Sequence, residues 1–355
     1  MTITLALAQY PTQRTPAKTL DLLESVTQKA ADQGVDLLLF PEAFLGGYPR
    51  TSSFGAAVGG RTEAGREEFY QYWLNAIDLG DVDQDGLGRY EAAGDGTRER
   101  LEYIAKETGV FIVTGIVEKA GATLFCAVLF VDPERGVVGK RRKVMPTGTE
   151  RLCWGVGSQK TLKAIDVEIK GEQVTLGAAI CWENYMPLLR TTLYSQGVNI
   201  YLAPTADARE TWVATMQHIA MEGRAFVMGC NQYVTTTSLP HYVPGAKAVE
   251  VKEGEFNLGE GGEVVSGGGS VIFDPLGKCL AGPLWGEAGI LKATIGSVVQ
   301  ETIRGKMDMD TAIGGHYARY AVDGARDEDM MADGWDSRSD VFNFSVEGLD
   351  LQTRR

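Results

Sequence analysis

The sequence predicts an α/β fold made of two similar halves around parallel strands. Residues 3–9 and 35–40 are β-rich apolar runs, and residues 19–33 between them have helical spacing of apolar side chains. A near-continuous apolar run is typical of a parallel strand that is covered on both faces. Strand, helix and strand at this short spacing form a βαβ unit, which indicates parallel pairing.

The same unit occurs a second time, with apolar runs at 174–180 and 198–203 on either side of a predicted helix at 186–196. The letters QGVDLLLFPEA at residues 33–43 align with QGVNIYLAPTA at residues 196–206. The alternative is that glycine caps and proline strand ends recur by chance. Because the similarity occurs twice and at no short fixed period, we interpret it as two packed halves and not as a solenoid.

The remaining elements follow from local pattern. Further strands are predicted at residues 110–117, 123–131, 226–233 and 269–273. A helix is predicted at residues 210–224, and the glycine-rich residues 245–269 favour a loop.

The charge balance argues against a nucleic-acid partner. The 355 residues carry a net charge of −13, and 44% of them are apolar, which is ordinary for a globular protein. A nucleic-acid-binding protein needs a clustered basic surface, and the short basic run at residues 140–143 is too small for one.

The sequence also argues against a membrane protein and a disulfide-rich protein. No run approaches the ~20 apolar residues of a membrane span, and the N-terminus lacks the basic region of a signal peptide. The five cysteines are widely spaced without a CxxC pair, so neither a disulfide framework nor a zinc site is expected. We predict a reduced, cytoplasmic protein.

Two side chains that could take part in catalysis follow predicted strands. Glu42 comes after the run 35–40, and Cys181 comes after the run 174–180 in the other half. Ligand sites in parallel α/β sheets form outside the carboxyl ends of the strands. Both residues therefore occupy positions where a site is expected.

The residue types fit nucleophilic catalysis by a thiol. A thiol with a pKa of about 8.5 is mostly protonated at neutral pH and needs a base or a positive charge nearby. Glu42 could accept its proton, and Lys143 could stabilise the negative charge that develops after attack. The backbone N–H of Trp182 is a natural second donor. Taken singly, Cys181 could be a core residue, Glu42 a solvated carboxylate and Lys143 part of a solvated basic run.

The other thiols and the histidines are weaker candidates. Cys153 is also followed by tryptophan, but no apolar strand precedes it, so we interpret it as a packing residue, and the remaining thiols as structural. Those are Cys126, Cys230 and Cys279. A Cys–His hydrolase would need one of three histidines, and nothing singles out His218, His241 or His316. His218 lies four residues before Glu222, a spacing that suits a metal, but no third ligand is near in sequence.

Three ordered motifs resemble those of nitrilases. They are FPEAFLGGYPR at residues 40–50, RKVMPT with ERLCWG at residues 142–155, and CWENYMP at residues 181–187. The resemblance covers roughly residues 4–320, and three motifs in order are far more specific than one. It implies a four-layer α-β-β-α sandwich with a pseudo-two-fold internal repeat, which agrees with the two βα halves.

The resemblance also implies roles for individual residues. It implies a Glu–Lys–Cys triad of Glu42, Lys143 and Cys181, supported by Glu150, and no metal or organic cofactor. The tryptophan at position 182 is similar to that of true nitrilases. Tyr48 and Trp182 are candidates for substrate binding, with an aromatic core residue as the equal alternative for each.

The function implied is hydrolysis of an organic nitrile to the carboxylic acid and ammonia through a thioimidate and an acyl-thioester. An amidase or carbamoylase of the same superfamily is the first alternative, and a non-catalytic interaction protein is the second. The nitrile could be aromatic, arylacetic, aliphatic or of the cyanoalanine type, because pocket shape depends on the loops at residues 48–60 and 205–212.

The resemblance further implies a homodimer that extends to a larger homo-oligomer, a spiral or a filament. We predict a carbon–nitrogen hydrolase domain at residues 1–306 and an acidic extension at residues 307–355 that takes part in oligomer contacts. Residues 315–319 and 339–342 resemble the two ends of the nitrilase tail motif. The acidic stretch at residues 320–337 separates them and departs from the family pattern.

Overall fold

The structure, a computed structural model, describes residues 2–80, 94–207, 209–240, 243, 246–247, 249–306 and 346–349. The helices in these ranges are α1 (Pro16–Asp32), α2 (Glu63–Leu74), α3 (Thr97–Thr108), α4 (Pro187–Tyr194), α5 (Thr211–Gly223) and α6 (Val298–Lys306). The strands are β1 (Ile3–Gln9), β2 (Leu37–Leu39), β3 (Ala56–Ala57), β4 (Gly60–Arg61), β5 (Phe111–Ala120), β6 (Thr123–Asp132), β7 (Gly136–Arg142), β8 (Ile165–Ile169), β9 (Glu172–Ala178), β10 (Ile200–Pro204), β11 (Phe226–Cys230), β12 (Tyr233–Thr235), β13 (Val264–Phe273), β14 (Cys279–Trp285) and β15 (Gly289–Ile295).

The strands form two large sheets of the same design. One sheet has the order β15-β1-β2-β5-β6-β7, and the other has the order β12-β13-β11-β10-β9-β8, with β14 paired to β13. Strands β1, β2 and β5 are parallel neighbours, as are β9, β10 and β11. Antiparallel strands flank each parallel centre. The two similar halves predicted from the sequence are therefore the two sheets.

The sheets stack face to face between outer helices. Alternate residues of a strand point to opposite faces. On β1, Leu5 lies in the core between the sheets and Ala6 lies in the core against α1 and α3. On β10, Leu202 lies between the sheets and Ala203 lies against α4 and α5. This confirms the four-layer α-β-β-α sandwich.

Glu42 and Cys181 lie at different points of the repeat. Glu42 follows β2, the middle parallel strand of its sheet, whereas Cys181 follows β9, the first parallel strand of the other. The repeat counterpart of Glu42 is Thr205, which follows β10. Glu42 and Cys181 thus occupy strand ends that are not equivalent, although both lie at the same edge of the sandwich.

Most predicted elements are present with shifted ends. Helix α1 begins at Pro16 because Thr15 accepts a hydrogen bond from the Lys18 N–H, which caps the helix. The apolar run at 226–233 divides into β11 and β12, and β13 begins five residues before the predicted strand at 269. No helix within the described residues is both long and apolar enough to cross a bilayer.

Candidate active site

Glu42 is positioned by close packing of its loop on strand β5. The N–H of Leu45 donates to the carbonyl of Gly115 at 3.1 Å. A Cβ atom at Gly115 would lie 2.2 Å from the carbonyl oxygen of Pro41, so only glycine allows this approach. Gly115 is not among the residues predicted from the sequence, although a glycine inside a strand run is the signal that marks such an approach.

Lys143 lies directly after strand β7, which pairs with β6. Its backbone N–H donates to the carbonyl of Cys126 at 2.7 Å, which continues the β6–β7 ladder by one residue. Its side chain is fully buried. The ladder therefore fixes the point from which the ammonium enters the space between the sheets.

Cys181 is the first residue of the 3₁₀ turn Cys181–Tyr185, and it forms a strained bend shortly after β9. Its φ of 52° is in the left-handed region, which a non-glycine residue adopts only when its surroundings enforce it. The amide of Asn184 enforces it in part by donating to the carbonyls of Ala179 (2.9 Å) and Cys181 (2.8 Å). Strain of this kind is concentrated at functional positions.

Glu183 ties this bend to the strand end that carries Lys143. Its buried carboxylate accepts from the N–H of Ile180 at 2.8 Å, the N–H of Val144 at 2.7 Å and Nη2 of Arg141 at 2.6 Å. Glu183 is not among the site residues predicted from the sequence. It positions Cys181 and Lys143 relative to each other.

The side chains of Glu42, Lys143, Glu150 and Cys181 meet between the sheets. Nζ of Lys143 lies 2.7 Å from Oε1 of Glu42 and 2.7 Å from Oε2 of Glu150. Glu150 also accepts from the hydroxyl of Tyr48 at 2.8 Å. The structure thus brings together all four residues predicted as catalytic and one of the two predicted to bind substrate.

The side-chain oxygen and sulfur atoms of Glu42, Glu150 and Cys181 lie within 4.8 Å of one another. Three such atoms at this spacing could bind a metal ion. The ammonium of Lys143 already bridges the two carboxylates. The protein therefore supplies a cation of its own to the cluster.

Burial and mutual charge shift the pKa values of the cluster. Burial raises the pKa of Glu42 above its ordinary value of 4.5, and the neighbouring Lys143 ammonium opposes the shift. Burial also raises the pKa of the Cys181 thiol well above 9.0, with the Glu42 charge adding to the shift. Burial disfavours the Lys143 ammonium, but nearby negative charges outweigh it and raise the Lys143 pKa. At neutral pH Cys181 is a thiol and needs a base.

The basic run at residues 140–143 is buried, which excludes the alternative that Lys143 belongs to a solvated basic run. Each cation meets a buried carboxylate. Nζ of Lys140 and Nε of Arg142 lie 2.7 Å and 2.6 Å from Glu118, and Arg141 pairs with Glu183. These pairs support the strand end that carries Lys143.

A cavity of about 240 Å³ opens in front of Cys181. It is lined by Tyr48, Thr147, Glu150, Cys181, Trp182, Ala206, Asp207 and Arg209. Nε1 of Trp182 donates to Asp207 at 3.0 Å, and the Arg209 guanidinium lies 4.7 Å from the centre of the Trp182 ring. Both aromatic candidates line the cavity, and the loops predicted to shape it contribute Tyr48, Ala206, Asp207 and Arg209.

The four other thiols do not line the cavity in front of Cys181. Cys153 is buried with a pKa raised to about 12 by burial, as expected of a packing residue. Cys230 is also buried, and Cys279 is exposed. Cys126, predicted to be structural, is buried as well, and its Sγ lies 3.6 Å from Oε1 of Glu42.

The position of His218 agrees with a site that uses other residues. The side chain of His218 is 63% exposed on α5, 3.6 Å from Glu222. His241 and His316 lie outside the described residues.

Residues 4–304 match the carbon–nitrogen hydrolase family. The chain is a member of the carbon–nitrogen hydrolase family. This hydrolase is 44% identical over 314 residues to an arylacetonitrilase of Trametes versicolor, covering 86% of this chain and 89% of the relative. It is 42% identical to a bifunctional nitrilase/nitrile hydratase of Nicotiana tabacum, covering 87% and 80%. It is 39% identical to an aliphatic nitrilase of Sinorhizobium fredii, covering 87% and 89%.

These relatives place the hydrolase in the nitrilase branch of the family. Among solved structures, it resembles an amidase from Nesterenkonia sp. with a TM-score of 0.57 and 22% identity, covering 83% of this chain and 90% of the amidase. That similarity supports the shared fold. The protein is a hydrolase that acts on carbon–nitrogen bonds.

Proposed function

We propose that the protein is a nitrilase that converts an organic nitrile to the carboxylic acid and ammonia. The observation that carries the proposal is the buried Glu42–Lys143–Cys181 cluster at the base of a small cavity. Relatives at 39–44% identity that bear nitrilase names support it.

The first step forms a carbon–sulfur bond. Glu42 takes the proton of the Cys181 thiol, and the sulfur attacks the nitrile carbon. One carbon–nitrogen π bond breaks, and its electron pair moves to nitrogen, which receives the proton from Glu42 to give a thioimidate. The Lys143 ammonium and the Trp182 N–H, at the open start of the 3₁₀ turn, stabilise the developing negative charge.

The second stage releases ammonia and then the acid. Glu42 removes a proton from water, which adds to the thioimidate carbon, and the tetrahedral intermediate expels ammonia after its nitrogen is protonated. A second water hydrolyses the remaining acyl-thioester and restores the thiol. Two waters and one nitrile thus yield one carboxylic acid and one ammonia.

Glu150, Tyr48 and Trp182 have supporting roles in this proposal. Glu150 holds the Lys143 ammonium at 2.7 Å, and Tyr48 fixes Glu150 through its hydroxyl. Trp182 is 39% exposed and forms a wall of the cavity, where it contacts the substrate.

An amidase or carbamoylase would use the same cluster on a planar amide, and the amidase fold of the solved relative is compatible with that alternative. A non-catalytic interaction protein is disfavoured by the ordered cluster. Alkylation of Cys181 by iodoacetamide tests that last alternative, because a binding module has no need of an accessible, activatable thiol.

We expect the purified protein to release ammonia and the matching acid from members of a panel of aromatic, arylacetic, aliphatic and amino-acid-like nitriles. The corresponding amides form the matched control panel. Ammonia assays and product chromatography measure both. Turnover of simple amides with no turnover of any nitrile would contradict the nitrilase assignment and favour the amidase.

We expect kcat/KM to decrease on acidification, with a midpoint at a pH above the ordinary glutamate pKa of 4.5. Glu42 accepts a proton only as carboxylate, and burial raises its pKa above 4.5. Activity is therefore complete above the raised pKa and is lost as pH falls through it. A kcat/KM profile from pH 4 to 9 measures this limb, and an acid limb at or below 4.5 would contradict the expectation.

We further propose a cytoplasmic homodimer that extends to a larger homo-oligomer or filament. Five free thiols suit a reducing compartment, and the resemblance to nitrilases motivates the assembly. The domain boundary at 306 and the role of the acidic extension 307–355 stay predictions, because residues 307–345 and 350–355 lie outside the described residues.

A further inference from the structure

The two carboxylate oxygens of Glu42 have different surroundings. Oε1 accepts from Nζ of Lys143 at 2.7 Å and lies 3.6 Å from Sγ of Cys126. Oε2 is equally buried but has no hydrogen-bond partner among the described residues. A buried polar atom without a partner is costly, and the Cys181 thiol lies within 4.8 Å of this carboxylate, close enough to supply one.

Cys126 is built into the frame that holds Lys143. It lies on β6 with only 1% of its surface exposed, and its carbonyl accepts the Lys143 N–H at 2.7 Å. Its side chain shares a face of the strand with Leu124 and Val128, which lie in the core between the sheets. Burial raises the pKa of this thiol well above 9.0, so it stays protonated and can donate.

We propose that Cys126 is a positioning residue that, together with Lys143, occupies Oε1 of Glu42 and so leaves Oε2 as the oxygen that takes the proton from Cys181. The inference rests on the proposed nitrilase function. The thiol fixes the rotation of the carboxylate, because two donors on one oxygen hold the other in a single direction.

Within the described residues, five titratable groups face the Glu42 carboxylate: Lys143, Glu150, Cys181, Tyr48 and Cys126. Of these, Cys126 can be changed without removing a residue of the proposed catalytic or substrate-binding set. Loss of its donor disfavours the charged carboxylate, so the Glu42 pKa should rise. The acid limb of kcat/KM should then move to higher pH.

Two matched pairs of variants separate donation from packing. Cys126→Thr and Cys126→Val have the same shape but differ in a hydroxyl donor, and Cys126→Ser and Cys126→Ala form a smaller pair with the same difference. If the β-branched pair fails to fold, as judged by thermal melting, the smaller pair carries the test. The measurements are kcat, KM and the pH profile.

The Thr and Ser variants, which keep a hydroxyl donor, are expected to lose kcat/KM at the same acidic pH as the wild type. Val and Ala should lower kcat by about tenfold, as for a lost hydrogen bond to a charged group, with KM little changed and the acid limb shifted upward. Equal acid limbs within each pair, or a Val variant that outperforms Thr, would overturn the proposal, because packing alone prefers the apolar member.

A measurement without turnover separates this inference from the proposed function. Alkylation of Cys181 by iodoacetamide, followed by peptide mass spectrometry in a Cys279→Ser background, also requires transfer of the thiol proton. The pH at which alkylation begins should be higher in the Val and Ala variants than in the wild type, and unchanged in the Thr and Ser variants. If nitriles are not substrates, the proposed function fails while this shift still supports Cys126. An unchanged onset in all four variants would overturn it.

Discussion

Replacing Cys181 with alanine is expected to reduce nitrile hydrolysis by roughly 10⁴-fold or more, the scale on which loss of a nucleophile acts. Alanine removes the only atom that forms the carbon–sulfur bond, while Glu42 and Lys143 keep their 2.7 Å contact. Ammonia release measures the loss, and intact-protein mass spectrometry should detect a substrate adduct on the wild-type chain and none on the variant.

Cys153→Ala is the matched control for this experiment. Cys153 is also buried and also precedes a tryptophan, but its thiol donates to the carbonyl of Glu150 at 3.3 Å and does not line the cavity. Removal of the Cys153 thiol should leave the rate of nitrile hydrolysis close to that of the wild type and slightly lower the free energy of unfolding. Hydrolysis at the wild-type rate by Cys181→Ala would rule out the thiol mechanism.

The predictable part of the fold is local. Apolar runs, helical spacing and glycine caps identify both βαβ units, because each signal lies within a few residues of the element it marks. The aligned boundaries at residues 33–43 and 196–206 mark β2 and β10, whose ends carry Glu42 and its counterpart Thr205.

The part of the site that could not be predicted depends on pairing between distant segments. Cys126 enters the site because β6 pairs with β7 and brings it beside Lys143, 17 positions later in the chain. Gly115 matters because β5 contacts the loop of Glu42. Neither register can be derived from local sequence, since a shift by one residue would reverse every side chain.

The burial of residues 140–143 shows the same limit for charge. A run of four cations is usually solvated, and only the partners reveal why this one is not. Glu118 and Glu183 come from β5 and from the bend after β9, 22 or more positions from the cations they meet. The motifs identified the chemistry, whereas the tertiary structure identified the residues that support it.

Glu183→Gln is expected to lower the free energy of unfolding by ~3–5 kcal/mol, the usual cost of breaking a buried ion pair from one side. Glutamine has nearly the same shape, but its NH₂ group replaces an oxygen that accepts from Arg141, Val144 or Ile180. Nε and Nη1 of Arg141 already have no hydrogen-bond partner among the described residues, so the guanidinium would lose its buried counter-charge.

Urea unfolding measures the change, and Glu63→Gln is the control. Glu63 pairs with Arg66 at 3.0 Å, but both side chains are more than half exposed, so its loss should have no measurable effect on stability. Because Glu183 also holds the Cys181 bend against the Lys143 strand end, kcat should decrease in the fraction that remains folded. A stability change as small as that of Glu63→Gln would show that the bend is held by Asn184 and the backbone, and that Glu183 is dispensable as a positioning residue.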